Sequence, residues 1–207
     1  MTERRSYISP HRDKAAAATR AAVLDHATYL FAEHGYARVT VADIAAATGV
    51  AVKTVYASVG NKAEILDRIV DNAVATSGYL QTVEQIRELR TLDEVLQALA
   101  HGTRVGNESH AAVLTAVRKA LPVHESGEAL WQRATSAYRQ ALHVVAAHLE
   151  ALGQLPRWLD ATQAADLLWL LFGPTSWHTL VAESGRTWAA AEAFLHRTAV
   201  AALTPSP

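Results

Sequence analysis

The sequence holds no cysteine, so disulfides, Cys-ligated zinc, iron–sulfur clusters and thiol nucleophiles are excluded. Proline and glycine are few, at 6 and 10 of 207 residues, which leaves little material for the tight turns of a β-protein. Aromatic residues make up 7% and no run of apolar residues approaches a membrane span; the longest, Ala161–Phe172, is interrupted by Thr162, Gln163 and Asp166 and halted by Gly173-Pro174. No apolar stretch follows Arg4 and Arg5, so no signal peptide or membrane segment is expected, and the location expected is cytoplasmic. The net charge of −1 says nothing about partners, but its distribution does: residues 1–62 carry eight Lys/Arg against five Asp/Glu, while the remainder is acidic. With 50% hydrophobic content, 207 residues suffice for a core that needs no metal or cofactor to hold it.

What is present reads as helix. Alanine and leucine dominate, and no stretch of β-branched or aromatic residues alternates cleanly with polar ones. Residues 1–13 are expected to form a flexible basic arm. A first helix is predicted from Lys14 to His34, with Val23, Ala27, Leu30 and Phe31 on one face and Gly35 behind its last turn. Thr40 caps a short second helix that stops at Gly49; a third covers Val52–Ser58, and Asn61 caps a fourth from Lys62 to about Tyr79. Further helices are predicted near Leu92–Val105, Ser109–Leu121, Ser126–Leu152, Ala161–Glu183 and Trp188–Ala202. Gly173-Pro174 should kink the penultimate one or free a backbone carbonyl. The expected fold is all-α, with a small helical domain over residues 14–62 and a larger helical domain over 63–207.

Thr40 to Lys62 carries the functional signal. Two short helices crossing steeply need a small residue at the contact, and Ala45 is available; the turn four positions later needs a positive φ, and Gly49 stands there. Ile44, Val50 and Val55 supply a shared core. The following helix begins with Lys53, Thr54 and Tyr56, which can reach phosphates and base edges, and its N-terminal amides suit phosphate. Lys62 opposes the dipole of its own helix start, which makes better sense with a phosphate nearby.

Phe31-Ala32-Glu33-His34-Gly35-Tyr36, Thr40-Val41-Ala42-Asp43-Ile44-Ala45, Gly49-Val50, Thr54-Val55-Tyr56 and Asn61-Lys62-Ala63-Glu64-Ile65-Leu66 together resemble the DNA-binding domain of the TetR family over residues 14–66. The resemblance implies a three-helix helix-turn-helix DNA-binding domain over residues 14–62 and an effector-binding and dimerisation domain over 63–207, in a homodimeric, ligand-responsive transcriptional regulator, usually a repressor, acting on double-stranded palindromic DNA. It further implies phosphate contacts from Thr40, Thr54, Tyr56 and Lys62, with Ala51, Val52, Lys53 and Ala57 facing the groove. Where the family commonly has a His-Phe pair after the tyrosine, this chain has Ser58-Val59.

Ala165–Leu171 followed by Pro174, Trp177, Leu180-Val181 and Trp188 is similar to the last two helices of a common subgroup, which form the dimer bundle. Trp177, Val181, Phe194 and Ala201 are the interface residues expected. Trp131 and Tyr138 recur at helical spacing, His101 and Arg104 share a helix face, and Trp169 and Phe172 lie on a later helix; together they suggest a pocket for a small, largely apolar or aromatic effector. Arg104 would favour a carboxylate or phenolate on it. No HExxH, GxSxG or Gly-rich phosphate loop is present, so no catalytic residue, cofactor or metal is assigned. His143 and His148 lie five apart, and His101 and His110 straddle an expected break, so neither pair has ligand spacing. An activator or effector-independent regulator of the same fold, a helical protein-interaction module and an enzyme remain the alternatives.

Overall fold

The computed structural model describes residues 10–204, and among these it contains helices and no strand. Helix α1 spans Pro10–His34; a 3-10 turn at Tyr36–Arg38 leads into α2 (Val41–Thr48), α3 (Val52–Val59) and α4 (Lys62–Ala75). Then follow α5 (Tyr79–Ile86), α6 (Leu92–Ser109), α7 (Ala111–Ala120), α8 (Gly127–Ala151), α9 (Ala161–Phe172), α10 (Pro174–His178), a π-helical turn at Thr179–Glu183, and α11 (Trp188–Leu203). Residues 1–9 of the expected arm lie outside the described residues, and residues 10–13 are the first turn of α1.

The chain divides into two compact units. The first holds the residues up to Ala73 together with Thr115–Trp131; the second holds Val74–Leu114 and the residues from Gln132 onward. In the first unit, α1 packs on α2 and α3. Val23, Ala27 and Phe31 of α1, Ile44 of α2, Val55 and Val59 of α3, and Ile65 and Leu66 of α4 are fully buried. Val59 thus fills the core position where the resembled family commonly has a phenylalanine, and burying a valine is worth about 1.5–3 kcal/mol.

In the second unit, α6 packs against α5 and α11 around Leu96, Leu99, Ala100, Leu142, Leu149, Leu168, Phe172, Trp177 and Leu195. Two helix starts here are closed by capping boxes, Thr91 with Glu94 and Asp160 with Gln163, in which each side chain satisfies a backbone amide of the other residue.

Further expectations change, α6 running on through Gly106-Asn107 to Ser109 instead of ending near Val105. The fourth helix stops at Ala75 rather than near Tyr79, because Gly78 adopts φ 73° and Tyr79 opens a separate helix, α5. That helix buries Val83 and Ile86, a pattern too short and too interspersed with Gln and Glu to register in the sequence. The helix expected over Ala161–Glu183 is three pieces. Pro174 sits at the first position of α10, which its missing amide tolerates, and the carbonyl of Phe172 is left for other donors.

Candidate nucleic-acid interface

The geometry begins at Thr40. Its hydroxyl accepts from the Asp43 amide at 3.2 Å and donates to Asp43 Oδ2 at 2.7 Å, while its own amide donates to the same carboxylate at 2.8 Å. These bonds hold the Asp43 carboxyl below its ordinary value. Both hydrogen-bonding groups of Thr40 that could meet a phosphate therefore serve the cap of α2.

At the other end of α2, Gly49 takes φ 71°, ψ 23°. Its amide donates to Ala46 O at 3.3 Å, and that of Val50 donates to Ala45 O at 3.1 Å. This pair of bonds turns the chain sharply into α3 and closes the last carbonyls of α2.

Along α3, Val55 and Val59 face the core, Thr54 is half-buried, and Ala51 at the N-cap is exposed. Val52 is 41% and Tyr56 53% exposed, and Lys53 and Ala57 are exposed beside them. Spacings of three and four place these four on one side of the helix. The far end carries two cations: Arg20 Nε donates to Ser58 O at 3.2 Å and Arg68 Nε to Val59 O at 3.0 Å. Guanidinium groups at a helix C-terminus oppose its negative dipole end and fix how α3 is seated. Neither arginine was singled out from the sequence, since each acts on a helix remote from its own periodic pattern.

Lys62 is placed differently from the bare phosphate ligand expected. Its Nζ lies 4.3 Å from the Tyr36 ring centroid and donates to Ala37 O at 3.4 Å. Burial lowers its pKa, and the Asp43 charge opposes that shift. Its helix starts at a tight cap: Asn61 Oδ1 accepts from the Ala63 and Glu64 amides at 2.9 and 3.0 Å, and Glu64 Oε2 accepts from the Asn61 amide at 2.7 Å. Gly60 precedes it at φ 91°, where a Cβ would come within 2.2 Å of Glu64 Oε2. Beneath Lys62, the Tyr36 ring also meets Phe31 at 5.2 Å and His124 at 5.3 Å. Burial raises the Tyr36 hydroxyl pKa, helped by Asp67 and Glu125. Lys119 Nζ donates to the carbonyls of Ala32 and Glu33 at the end of α1. Sequence reasoning missed both His124 and Lys119, which come from the distant segment 115–131.

In the second unit, Tyr138, Trp169 and Phe172 do come together. Tyr138 Oη donates to Phe172 O, Trp177 Nε1 donates to the same oxygen at 3.0 Å, and the Trp169 ring stands edge-on to Tyr138 at 5.7 Å. Burial raises the Tyr138 hydroxyl pKa, keeping it a neutral donor. Trp131 falls in the first unit.

His101 and Arg104 point elsewhere than expected. Arg104 is paired with Glu192 of α11 and with Glu108, His101 lies 3.4 Å from Glu192, and His101 is exposed. Arg104 is thus already neutralised and is no free receptor for a carboxylate. The inward-facing residues of this part of α6 are Thr103 and Asn107.

Of the interface candidates, Phe194 is 38% exposed beneath the Arg186 guanidinium, Ala201 is exposed and Val181 half-buried. Trp177 is 1% exposed inside its own unit, against Trp188, so its ring is not offered to a partner. Among the described residues no group of three or more His, Asp or Glu could hold a metal, and no helix is long and apolar enough to cross a membrane.

The bacterial regulatory proteins of the tetR family match the chain over residues 23–69. No curated protein matches it by sequence. Solved structures share the fold. SmeT, repressor of the Stenotrophomonas maltophilia efflux pump SmeDEF, in its triclosan complex, superposes with TM-score 0.71 at 22% identity, covering 90% of this chain and 92% of that one. The fatty acid degradation regulator FadR of Bacillus halodurans does so with TM-score 0.70 at 17% identity, over 94% and 96%. PfmR, a TetR-family regulator of Thermus thermophilus, gives 0.67 at 20%, over 96% and 100%. The helix-turn-helix of α2 and α3 lies inside the segment that matches the tetR family, and the helical fold continues beyond it as in these solved structures.

Proposed function

We propose that the protein is a repressor that binds a palindromic operator as a homodimer and leaves it when a small, largely apolar or aromatic effector occupies the second unit. The observation that carries the DNA reading is the exposed face of α3, Val52, Lys53, Tyr56 and Ala57, presented just past a left-handed glycine turn. Lys53 is the long polar side chain on that face and would reach a guanine edge, while Val52 and Ala57 would lie against thymine methyls. Thr54, Tyr56 and Lys62 would take phosphates; Thr40 would act mainly by holding α2 through its cap. Phe194, Val181 and Ala201 would belong to the dimer seam. The effector would sit by Tyr138, Trp169 and Phe172, and it must bind the DNA-incompetent state more tightly to shift the equilibrium. Triclosan, which SmeT binds, is a first compound to try.

The experiment is fluorescence anisotropy on the duplex upstream of the protein's own gene, with scrambled duplex as competitor, before and after adding triclosan. Preference for the native duplex and its loss with the compound are expected. Equal affinity for both duplexes would contradict the regulator reading. Tight duplex binding unaffected by triclosan and by other apolar compounds would point instead to an effector-independent regulator.

A further inference from the structure

The inward face of α6 changes chemistry along its length. Leu96, Leu99 and Ala100 are buried and apolar, whereas Thr103 and Asn107, on the next two turns, are buried and polar at 6% and 4% exposure. Thr103 Oγ1 donates to Leu99 O at 2.8 Å, and Tyr138 Oη donates to Phe172 O. Asn107 Nδ2 donates to Thr103 O at 2.8 Å and to Tyr138 Oη at 3.4 Å. These bonds settle which way the amide faces. Turned over, its carbonyl would meet a carbonyl oxygen and a hydroxyl whose proton already goes to Phe172. Asn107 Oδ1 is therefore held away from both, buried, with no donor among the described residues. A buried acceptor left unpaired is costly, and such groups in native proteins commonly serve a ligand or an ordered water.

The surroundings narrow the ligand. Trp169 and Tyr79 both lie against Tyr138, the latter with its ring parallel at 6.5 Å. Arg104, on the face of α6 that packs against α11, is spent on Glu192 of that helix. At Asn107 Oδ1 an anion would find an acceptor rather than a donor, the Arg139 guanidinium lying instead over the Trp169 ring, 4.6 Å from its centroid, and a cation would find Glu192 already taken by Arg104.

We propose that Asn107 is the polar anchor of the effector site, accepting at Oδ1 a hydrogen bond from a hydroxyl or N–H of an uncharged, largely aromatic effector. This rests on the reading of the second unit as the effector-binding body and adds the chemistry of the effector to it.

The test uses the full chain and paired compounds: triclosan with its O-methyl ether, and 2-naphthol with 2-methoxynaphthalene. Binding is followed by tryptophan fluorescence, duplex release by anisotropy, and folding by circular dichroism. In the wild type each hydroxyl compound should bind at least about tenfold more tightly than its ether. Asn107→Leu, close in volume but without the acceptor, should bring the two within about twofold, because a merely steric bias against the methyl group would survive the substitution. Asn107→Ser draws the acceptor back and should do the same if leucine perturbs folding. Tyr138→Phe keeps Oδ1 and should keep the preference. Equal binding of both members by the wild type, a preference that survives both Asn107 variants, or failure of every compound to bind a protein that still holds its duplex would overturn the anchor. Hydroxyl-selective binding that leaves duplex affinity unchanged would uphold Asn107 and count against the effector reading alone.

Discussion

Replacing Lys62 by alanine separates positioning from sequence reading. In the free protein its ammonium rests 4.3 Å above the Tyr36 ring and donates to Ala37 O, so reaching a phosphate means giving up a cation–π contact of roughly 0.5–1 kcal/mol. The phosphate contact must exceed that, and its signature is counterion release. One phosphate contact per protomer, hence two per dimer, contributes about 1.8 to the slope of log affinity against log salt. Between about 50 and 200 mM salt the wild type should then lose roughly 12-fold more affinity than Lys62→Ala. The substitution leaves untouched the face of α3 proposed to read bases, so native and scrambled duplexes should weaken by a similar factor. Anisotropy titrations at four salt concentrations give both quantities. An unchanged slope would mean that Lys62 stays on Tyr36 in the complex; a changed sequence preference would mean that it reads bases.

At Gly49 a Cβ would meet nothing within 4 Å, so Gly49→Ala is disfavoured by its backbone conformation alone. The left-handed penalty less the entropy regained from the unfolded chain leaves a cost of about 1 kcal/mol, and Gly49→Asn should cost less; a thermal midpoint at or above wild type for the alanine variant would refute this. The Asp43 carboxyl, held below its ordinary 3.8 by Thr40, contributes stability above that pH that is lost as pH falls through its folded value. The melting gap between wild type and Asp43→Ala should therefore be open at neutral pH and close in strong acid; a gap independent of pH would refute the cap. Phe194→Asp should shift sedimentation towards monomer with helicity intact, because the ring is 38% exposed. Trp177→Asp should instead unfold the second unit, at a cost of roughly 3–5 kcal/mol or more, and a folded dimer from it would contradict its core placement.

The α2–turn–α3 hairpin was legible in the sequence because its requirements are local: a cap at Thr40, a small residue at Ala45 and a positive φ at Gly49 are each met by residue type within ten positions. The Gly173-Pro174 break was legible for the same reason, including the carbonyl it frees, which Tyr138 and Trp177 share. What escaped depends on long-range pairing. Nothing local says that Arg20 and Arg68 cap α3, that His124 stacks under Tyr36, or that Glu192 of α11 claims Arg104. On α6 the sequence does not distinguish the two helix faces. His101 and Arg104 mark the side packed on α11, while the inward side carries the uncharged Thr103 and Asn107.

The central claim is that α3 reads duplex sequence as one half of a two-fold assembly. Selection of bound fragments from a random duplex library tests it directly, run in parallel with wild type and Lys53→Ala. An enriched motif with two inverted half-sites about one helical turn apart is expected, with altered base preference in the variant at one position per half-site. No enrichment, an unsymmetric motif, or the same motif from both proteins would contradict it.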